Sequence, residues 1–169
     1  MPKISLILGD GRGKTSTAIG HSYLRSLKDK KITIVQFLKT GKECGECNYL
    51  SKNSQIQWFH FGKKEFYVSE NQKEEFRELI NQGLLELTVN LNQTNIDILV
   101  LDELGVTIKY GLLSWTDLEE IIKGIKEEII ITGRTAPSFM RSIADEIIFF
   151  REIKHPFKEG ILARKGIDF

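Results

Sequence analysis

Ile4-Ser5-Leu6-Ile7-Leu8-Gly9-Asp10-Gly11-Arg12-Gly13-Lys14-Thr15-Ser16 passes from a short apolar run, through three glycines at alternate positions, to Lys-Thr-Ser and a helical pattern. The run is short enough for one buried strand, and the pattern after it predicts a strand, a tight turn and a helix. Glycines at 9, 11 and 13 let the backbone curl so that its N–H groups point inward, where the positive end of the next helix adds to their field. This is a phosphate-binding loop by its chemistry: Lys14 reaches phosphates, and Thr15 offers the hydroxyl that usually ligates Mg²⁺. The usual pattern is Gly-x-x-x-x-Gly-Lys followed by Ser or Thr. Here Leu8 occupies the first Gly position, so the loop is one residue shorter. A glycine-rich turn that binds nothing would use the same glycines, but it has no need of Lys-Thr at the helix start.

With 169 residues the chain suits one domain with a full core, read here as residues 1–169. The net charge is +1 with 28% charged residues, so no overall basic field points to nucleic acid as a partner. No apolar run approaches the roughly 18–20 residues that would cross a bilayer, and the chain enters a strand almost at once, with no signal-like segment. A cytoplasmic protein without a membrane partner is expected. The two cysteines, Cys44 and Cys47, form one Cys-Gly-Glu-Cys, which fits a redox pair, half a zinc site or two reduced thiols in a loop. The last is the expectation, since there is no second cysteine pair.

Thr15 to Leu27 reads as a helix with Ala18, Ile19, Tyr23 and Leu27 on one side, and Ile32 to Leu38 as the second strand. Residues 39–54 read as a long loop and Gln55 to Phe61 as a third strand. In the next loop, Phe66, Tyr67 and Val68 serve either packing beneath the loop or ligand contact. Phe76, Leu79, Ile80, Gly83, Leu84, Leu87 and Leu91 repeat with helical period between Glu70 and Asn92. Ser114 to Asp117 resembles a capping box opening a helix with Leu118, Ile121, Ile122 and Ile125 inside. Glu128 to Thr132 is the next strand, Ser138 to Ala144 a short helix, and Ile147 to Phe150 the last buried strand. The alternation predicts an α/β fold: a mostly parallel sheet of about six strands with helices on both faces.

Ile96-Asp97-Ile98-Leu99-Val100-Leu101-Asp102-Glu103 is an apolar strand ending in two acids. A carboxylate at the carboxyl end of a buried strand holds Mg²⁺ directly or through water, so Asp102 is a metal candidate beside Thr15. Glu103 is open to three readings: orienting water, binding a ribose, or simple solvation. Arg134 follows the strand before it on the rim where α/β sheets bind ligands, and serves either a triphosphate or a rim salt bridge.

Several segments together resemble the P-loop class of ATP:corrinoid adenosyltransferases. They are Gly9 to Thr15, Val35-Gln36-Phe37-Leu38-Lys39, Leu101-Asp102-Glu103-Leu104, Thr132-Gly133-Arg134, Ala144-Asp145, Lys154-His155-Pro156-Phe157 and Gly166-Ile167-Asp168-Phe169. They follow family order from first strand to last residue. The resemblance implies a three-layer P-loop NTPase fold of RecA-like type. It implies an enzyme that moves the 5′-deoxyadenosyl group of ATP onto Co(I) of a corrinoid and releases triphosphate. ATP and corrinoid are then substrates, Mg²⁺ or Mn²⁺ the metal, a flavoprotein the reductant, and a homodimer the assembly.

On this resemblance, Gly9, Asp10, Gly11, Arg12, Gly13, Lys14, Thr15, Ser16, Glu103 and Arg134 contact the nucleotide. Lys14, Asp102 and Phe66 carry catalysis, and Thr15 and Asp102 hold the metal. The family reverses the triphosphate relative to ordinary P-loop enzymes, which suits the shortened loop. Phe66 matches the family's Gly-Phe-Thr-Trp segment and is the side chain implied to exclude the lower axial ligand of cobalt; Tyr67 and Val68 stand where Thr and Trp are usual. Leu24 occupies the family's arginine position, with Arg25 one residue, about 100°, further round the helix. Many members place a capping helix before the first strand, which here is expected to begin by about Ile4. Two other functions use the same motifs: a small nucleotide kinase or NTPase, and a non-catalytic ATP-gated corrinoid carrier or assembly partner.

Overall fold

The computed structural model describes residues 1–40, 45–63, 67 and 69–154, the side chain of Asn92 excepted. Six strands, β1 (Lys3–Leu8), β2 (Ile32–Phe37), β3 (Ile56–Phe61), β4 (Ile96–Asp102), β5 (Ile125–Gly133) and β6 (Glu146–Phe149), form one sheet in the order β3-β2-β4-β5-β1-β6. Every pairing is parallel. All six carboxyl ends therefore lie along one edge, which is where open α/β sheets bind ligands.

Both faces of the sheet are covered, so its central strands read as continuous apolar runs. On one face α1 (Lys14–Ser26) sets Ala18 and Ile19 against Ile7, Ile34, Ile98, Val100 and Ile130. On the other, α3 (Lys73–Gln93) presents Phe76, Ile80, Leu84 and Leu87, one helical stripe, to Leu6, Phe37, Leu99 and Ile131. Each such side chain, buried, contributes about 1.5–3 kcal/mol before entropy is counted. The short helices α4 (Leu104–Lys109), α5 (Glu119–Lys123) and α6 (Ser138–Ile143) complete that layer through Leu104, Ile121 and Met140. The fold is the expected three-layer α/β arrangement.

Several local expectations change. The stretch 39–54 is not all loop, since α2 (Gly45–Leu50) lies within it and buries Cys47. The buried stripe of α1 is Ala18, Ile19, Ser22 and Ser26, whereas Leu27 is exposed. Ser22 and Ser26 enter the core because their hydroxyls donate back to the carbonyls of Ala18 and Tyr23, 2.8 and 2.7 Å away. Ile125 opens β5 instead of closing the preceding helix, and Asp117 Oδ2 accepts the Ser114 N–H at 2.8 Å, as a capping residue does. The strand expected to be the last buried one is an edge among the described residues: there β6 pairs only with β1, and Ile147, Ile148 and Phe149 are exposed.

At the amino end of the sheet, Glu128 is almost fully buried on β5 opposite Lys3. Its Oε1 accepts from Ser5 Oγ at 2.7 Å, and its Oε2 lies 3.2 Å from both His21 Nε2 and Arg25 Nη1. Arg25 therefore pins α1 to the sheet's amino end. That end is five residues of β1, roughly 16 Å, from the glycine loop. Arg25, one residue past the family's arginine position, does not reach the phosphate end.

Burial raises the Glu128 carboxyl, but the hydrogen bonds from Ser5 and His21 and the charges of His21 and Arg25 outweigh it, leaving it below the ordinary glutamate value. A depressed folded value contributes stability above the unfolded value, near pH 4.3, and that stability disappears as pH falls through the folded one. Glu128→Gln should lower the unfolding free energy by about 1–3 kcal/mol at neutral pH and flatten its loss on acidification. Denaturant unfolding at a series of pH values checks this; parallel curves for the two proteins would remove Glu128 from the account.

Candidate nucleotide site

The glycine loop leaves β1 and enters α1 at Gly13, the N-cap, whose φ of 101° lies in the left-handed region. Gly9 has φ 115°, and a Cβ there would lie 2.2 Å from Phe150 O. Both positions require glycine, one for its dihedral and the other for dihedral and space together. No side chain among the described residues caps α1. The N–H groups of its first turn are therefore left for a ligand, and the helix end adds a positive field.

The loop is braced from behind by the chain leaving β6. Gly11 N–H donates to Phe150 O at 2.9 Å, Phe150 N–H to Leu8 O at 2.7 Å, and Glu152 N–H to Asp10 Oδ1 at 3.1 Å. Gly11 N–H thus does not point inward as the sequence led us to expect, and Asp10 meets protein backbone. Lys14 folds back, its Nζ 2.7 Å from Gly11 O. Burial, with the charge of Arg134, holds its ammonium below the usual lysine value against the pull of Glu103.

Asp102 ends β4 with its side chain 1% exposed, and four donors converge on it. Oδ1 accepts from Thr15 Oγ1 at 2.8 Å and Thr132 Oγ1 at 2.5 Å. Oδ2 accepts from Gln36 Nε2 at 2.9 Å and Lys39 Nζ at 2.7 Å. Burial pushes this carboxyl up, but the charge and hydrogen bond of Lys39 and the bonds from Thr132 and Gln36 hold it below the ordinary aspartate value. Thr15 and Asp102, far apart in sequence, are therefore joined directly, as the pairing of loop and acid strand required. Because β5 runs between β1 and β4, its Thr132 bridges them.

Glu103 follows in the left-handed region at φ 64°, uncommon for a residue with a side chain. Its N–H donates to Thr132 Oγ1 at 3.1 Å. Burial, then the neighbouring Asp102 charge, raises its carboxyl above the ordinary value, while Lys39, Lys14 and Arg134 pull the other way. Arg134 is exposed and forms no ion pair among the described residues, so the rim salt bridge is not seen there. Ser16 is exposed and donates to Glu46 Oε1 at 3.3 Å; Arg12 is exposed.

The donor set suits Mg²⁺, a hard cation that takes one or two protein oxygens and completes its shell with water and phosphate. Thr15 Oγ1 and the Asp102 carboxylate are such oxygens. All four lone-pair positions of Asp102 already have donors, so the carboxylate takes a metal through water or by giving up a donor.

Gln36, Lys39 and Thr132 are site residues that site-by-site reading did not select, although they sit in the quoted motifs. The available signal was a polar residue at the carboxyl end of an apolar strand. Cys47 corrects the expectation of two reduced thiols, since it is disulfide-bonded; Cys44 lies outside the described residues. Its sulfur is 3.3 Å from Gln36 Oε1 and 3.4 Å from His60 Nε2. Burial, then the charge of Lys39, keeps His60 below the ordinary imidazole value. Phe66 and Val68 lie outside the described residues, as do residues 155–169. Tyr67 takes the packing role, its ring 5.5 Å from Phe76 and 5.0 Å from Tyr110.

Residues 2–169 match the family model described as ATP:corrinoid adenosyltransferase BtuR/CobO/CobP. Relatives include the corrinoid adenosyltransferase of Pseudomonas aeruginosa, 26% identical over 95% of this chain and 80% of its own length. That of Escherichia coli K12 is 29% identical over 98% of this chain and 85% of its own. Corrinoid adenosyltransferase CobA of Salmonella typhimurium is 30% identical over the same shares. A match across essentially the whole chain, on a sheet whose carboxyl edge joins the short glycine loop to Asp102, makes this chain a member of the ATP:corrinoid adenosyltransferase family.

Proposed function

We propose that this protein transfers the 5′-deoxyadenosyl group of ATP to the Co(I) centre of a corrinoid and releases triphosphate. The observation that carries the reading is the family match over residues 2–169, and an uncapped helix start beside the Thr15–Asp102 contact supports it. Co(I) uses its own electron pair to attack C5′, the C5′–O5′ bond breaks, and the triphosphate leaves with that bond's electrons. No proton moves, so no general base is needed. What the chain must supply is in-line positioning and neutralisation of the leaving group.

Lys14, the free N–H groups of the α1 start and Arg134 supply positive charge for the triphosphate. Thr15 and Asp102 would hold Mg²⁺, which would add charge neutralisation for the leaving triphosphate. Glu103, with no side-chain partner among the described residues, remains for the ribose or for water on the metal. Phe66 is proposed to press on the lower face of the corrin, excluding the axial ligand so that Co(II) can be reduced. A flavoprotein reductant, a homodimer and a cytoplasmic setting complete the reading; no helix among the described residues is long and apolar enough to cross a membrane.

The deciding experiment is incubation with ATP, Mg²⁺ and chemically reduced cobalamin, with both products analysed. Adenosylated corrinoid and triphosphate in equal amounts are expected. Diphosphate or phosphate without cobalt alkylation would mean a kinase or NTPase, and tight binding without product would mean a carrier. Lys14→Ala should reduce kcat/KM by a factor on the order of 100 or more, and near-normal turnover would remove the triphosphate role. Phe66→Ala should slow the reaction that starts from Co(II) far more than the one started with preformed Co(I). Equal losses in the two assays would take Phe66 out of cobalt reduction.

A further inference from the structure

Lys39 is the first residue but one beyond β2, and its placement is built into the backbone. Leu38 just before it holds φ 60°, a conformation uncommon for a side-chain-bearing residue. Its N–H donates to Phe61 O at 2.9 Å. Gly62 then lies so close that a Cβ on it would be 2.2 Å from Lys39 N. The chain is thus turned back at the end of β2 and clamped against the end of β3. The ammonium that results sits 2.7 Å from Asp102 Oδ2 and 3.4 Å from Thr15 Oγ1. Those are the two groups to which the proposed function gives the metal.

Of the four donors on Asp102, three cannot leave. Gln36 and Thr132 are buried, and Thr15 is itself the second metal-holding group. Lys39 alone combines a flexible stem with a side chain 38% exposed. We propose that Lys39 is a positioning residue that acts as a built-in substitute cation: it neutralises Asp102 while the site is empty and transfers its ammonium to a phosphate oxygen when metal and polyphosphate bind. The exchange keeps a buried carboxylate paired in both states, which an unpaired one could not survive without large cost. It also brings the lysine's charge to the leaving group only when the leaving group is present.

The inference rests on the proposed nucleotide site, and its test reads binding instead of turnover. With Mn²⁺ alone as the probe and no nucleotide, Lys39→Gln should bind the metal more tightly than the native chain, by roughly tenfold, because the competing cation is gone. The same variant should bind metal-free inorganic triphosphate several-fold more weakly, since a phosphate contact is lost. Lys39→Arg, which keeps the charge, should stay near native in both titrations. A purely structural lysine would lower both affinities together or neither, and unchanged or weaker Mn²⁺ binding in Lys39→Gln overturns the proposal.

A measurement on the native chain does not depend on the variant folding. With ¹³C-labelled lysine, the Lys39 Cε resonance should move when Mg²⁺ and inorganic triphosphate are added together. A resonance that stays in place while the complex forms overturns the substitution, leaving the nucleotide site intact. Failure of Mg²⁺ and triphosphate to bind the native chain at all defeats the site on which the inference stands, and the inference with it.

Discussion

A carboxylate withdrawn from water is tolerated only when its lone pairs are met by donors, and Asp102 meets that condition with four. The four come from three different places: Thr15 in the first turn of α1, Gln36 and Lys39 at the end of β2, and Thr132 at the end of β5. One side chain thus ties together the carboxyl ends of β2, β4 and β5 and the start of α1. The parallel sheet delivers these ends to one edge, and the strand order puts β5 between loop and acid so that a threonine fills the gap. Remove the carboxylate and the donors lose the group that holds them in register.

The two ends of the sheet use buried acids for different purposes. Glu128 at the amino end is matched by Ser5, His21, Arg25 and Lys3, and so fastens α1 to the sheet. Asp102 at the carboxyl end is matched by donors of which one is mobile, and beside it stand Glu103, Lys14 and Arg134 with ligand-binding capacity unspent. The first cluster fixes the carboxyl half of α1 to the sheet, and the second ties the start of the same helix to Asp102. Bracing of the loop by Phe150 and Glu152 serves the same end, since Gly9 and Gly11 are held from behind while the helix start stays open.

Much of this was written in the chain's local pattern. The glycine loop, the apolar run ending at Asp102 and the stripe of α3 were legible because each has a physical period or a chemical signature. Gln36 and Thr132 were not singled out, because a polar residue ending an apolar strand looks the same whether it faces solvent or a buried acid. The β6 run, four apolar residues long, read as buried; run length does not distinguish a central strand from an edge. Helices of five or six residues such as α2 and α4 fall below the length at which periodicity declares itself. The state of Cys47 depends on where a second sulfur lies, which spacing alone does not fix.

The central claim is that the shortened glycine loop grips the polyphosphate so that the sugar's methylene carbon, and not the terminal phosphorus, faces the attacking metal. A crystal structure with Mg²⁺, a non-reacting ATP analogue and a corrinoid measures this directly. The account predicts the triphosphate on the first turn of α1, metal at Thr15, and C5′ in line with cobalt. The terminal phosphoryl group turned to the open side, with the ribose pointing away from any space for a tetrapyrrole, would contradict it.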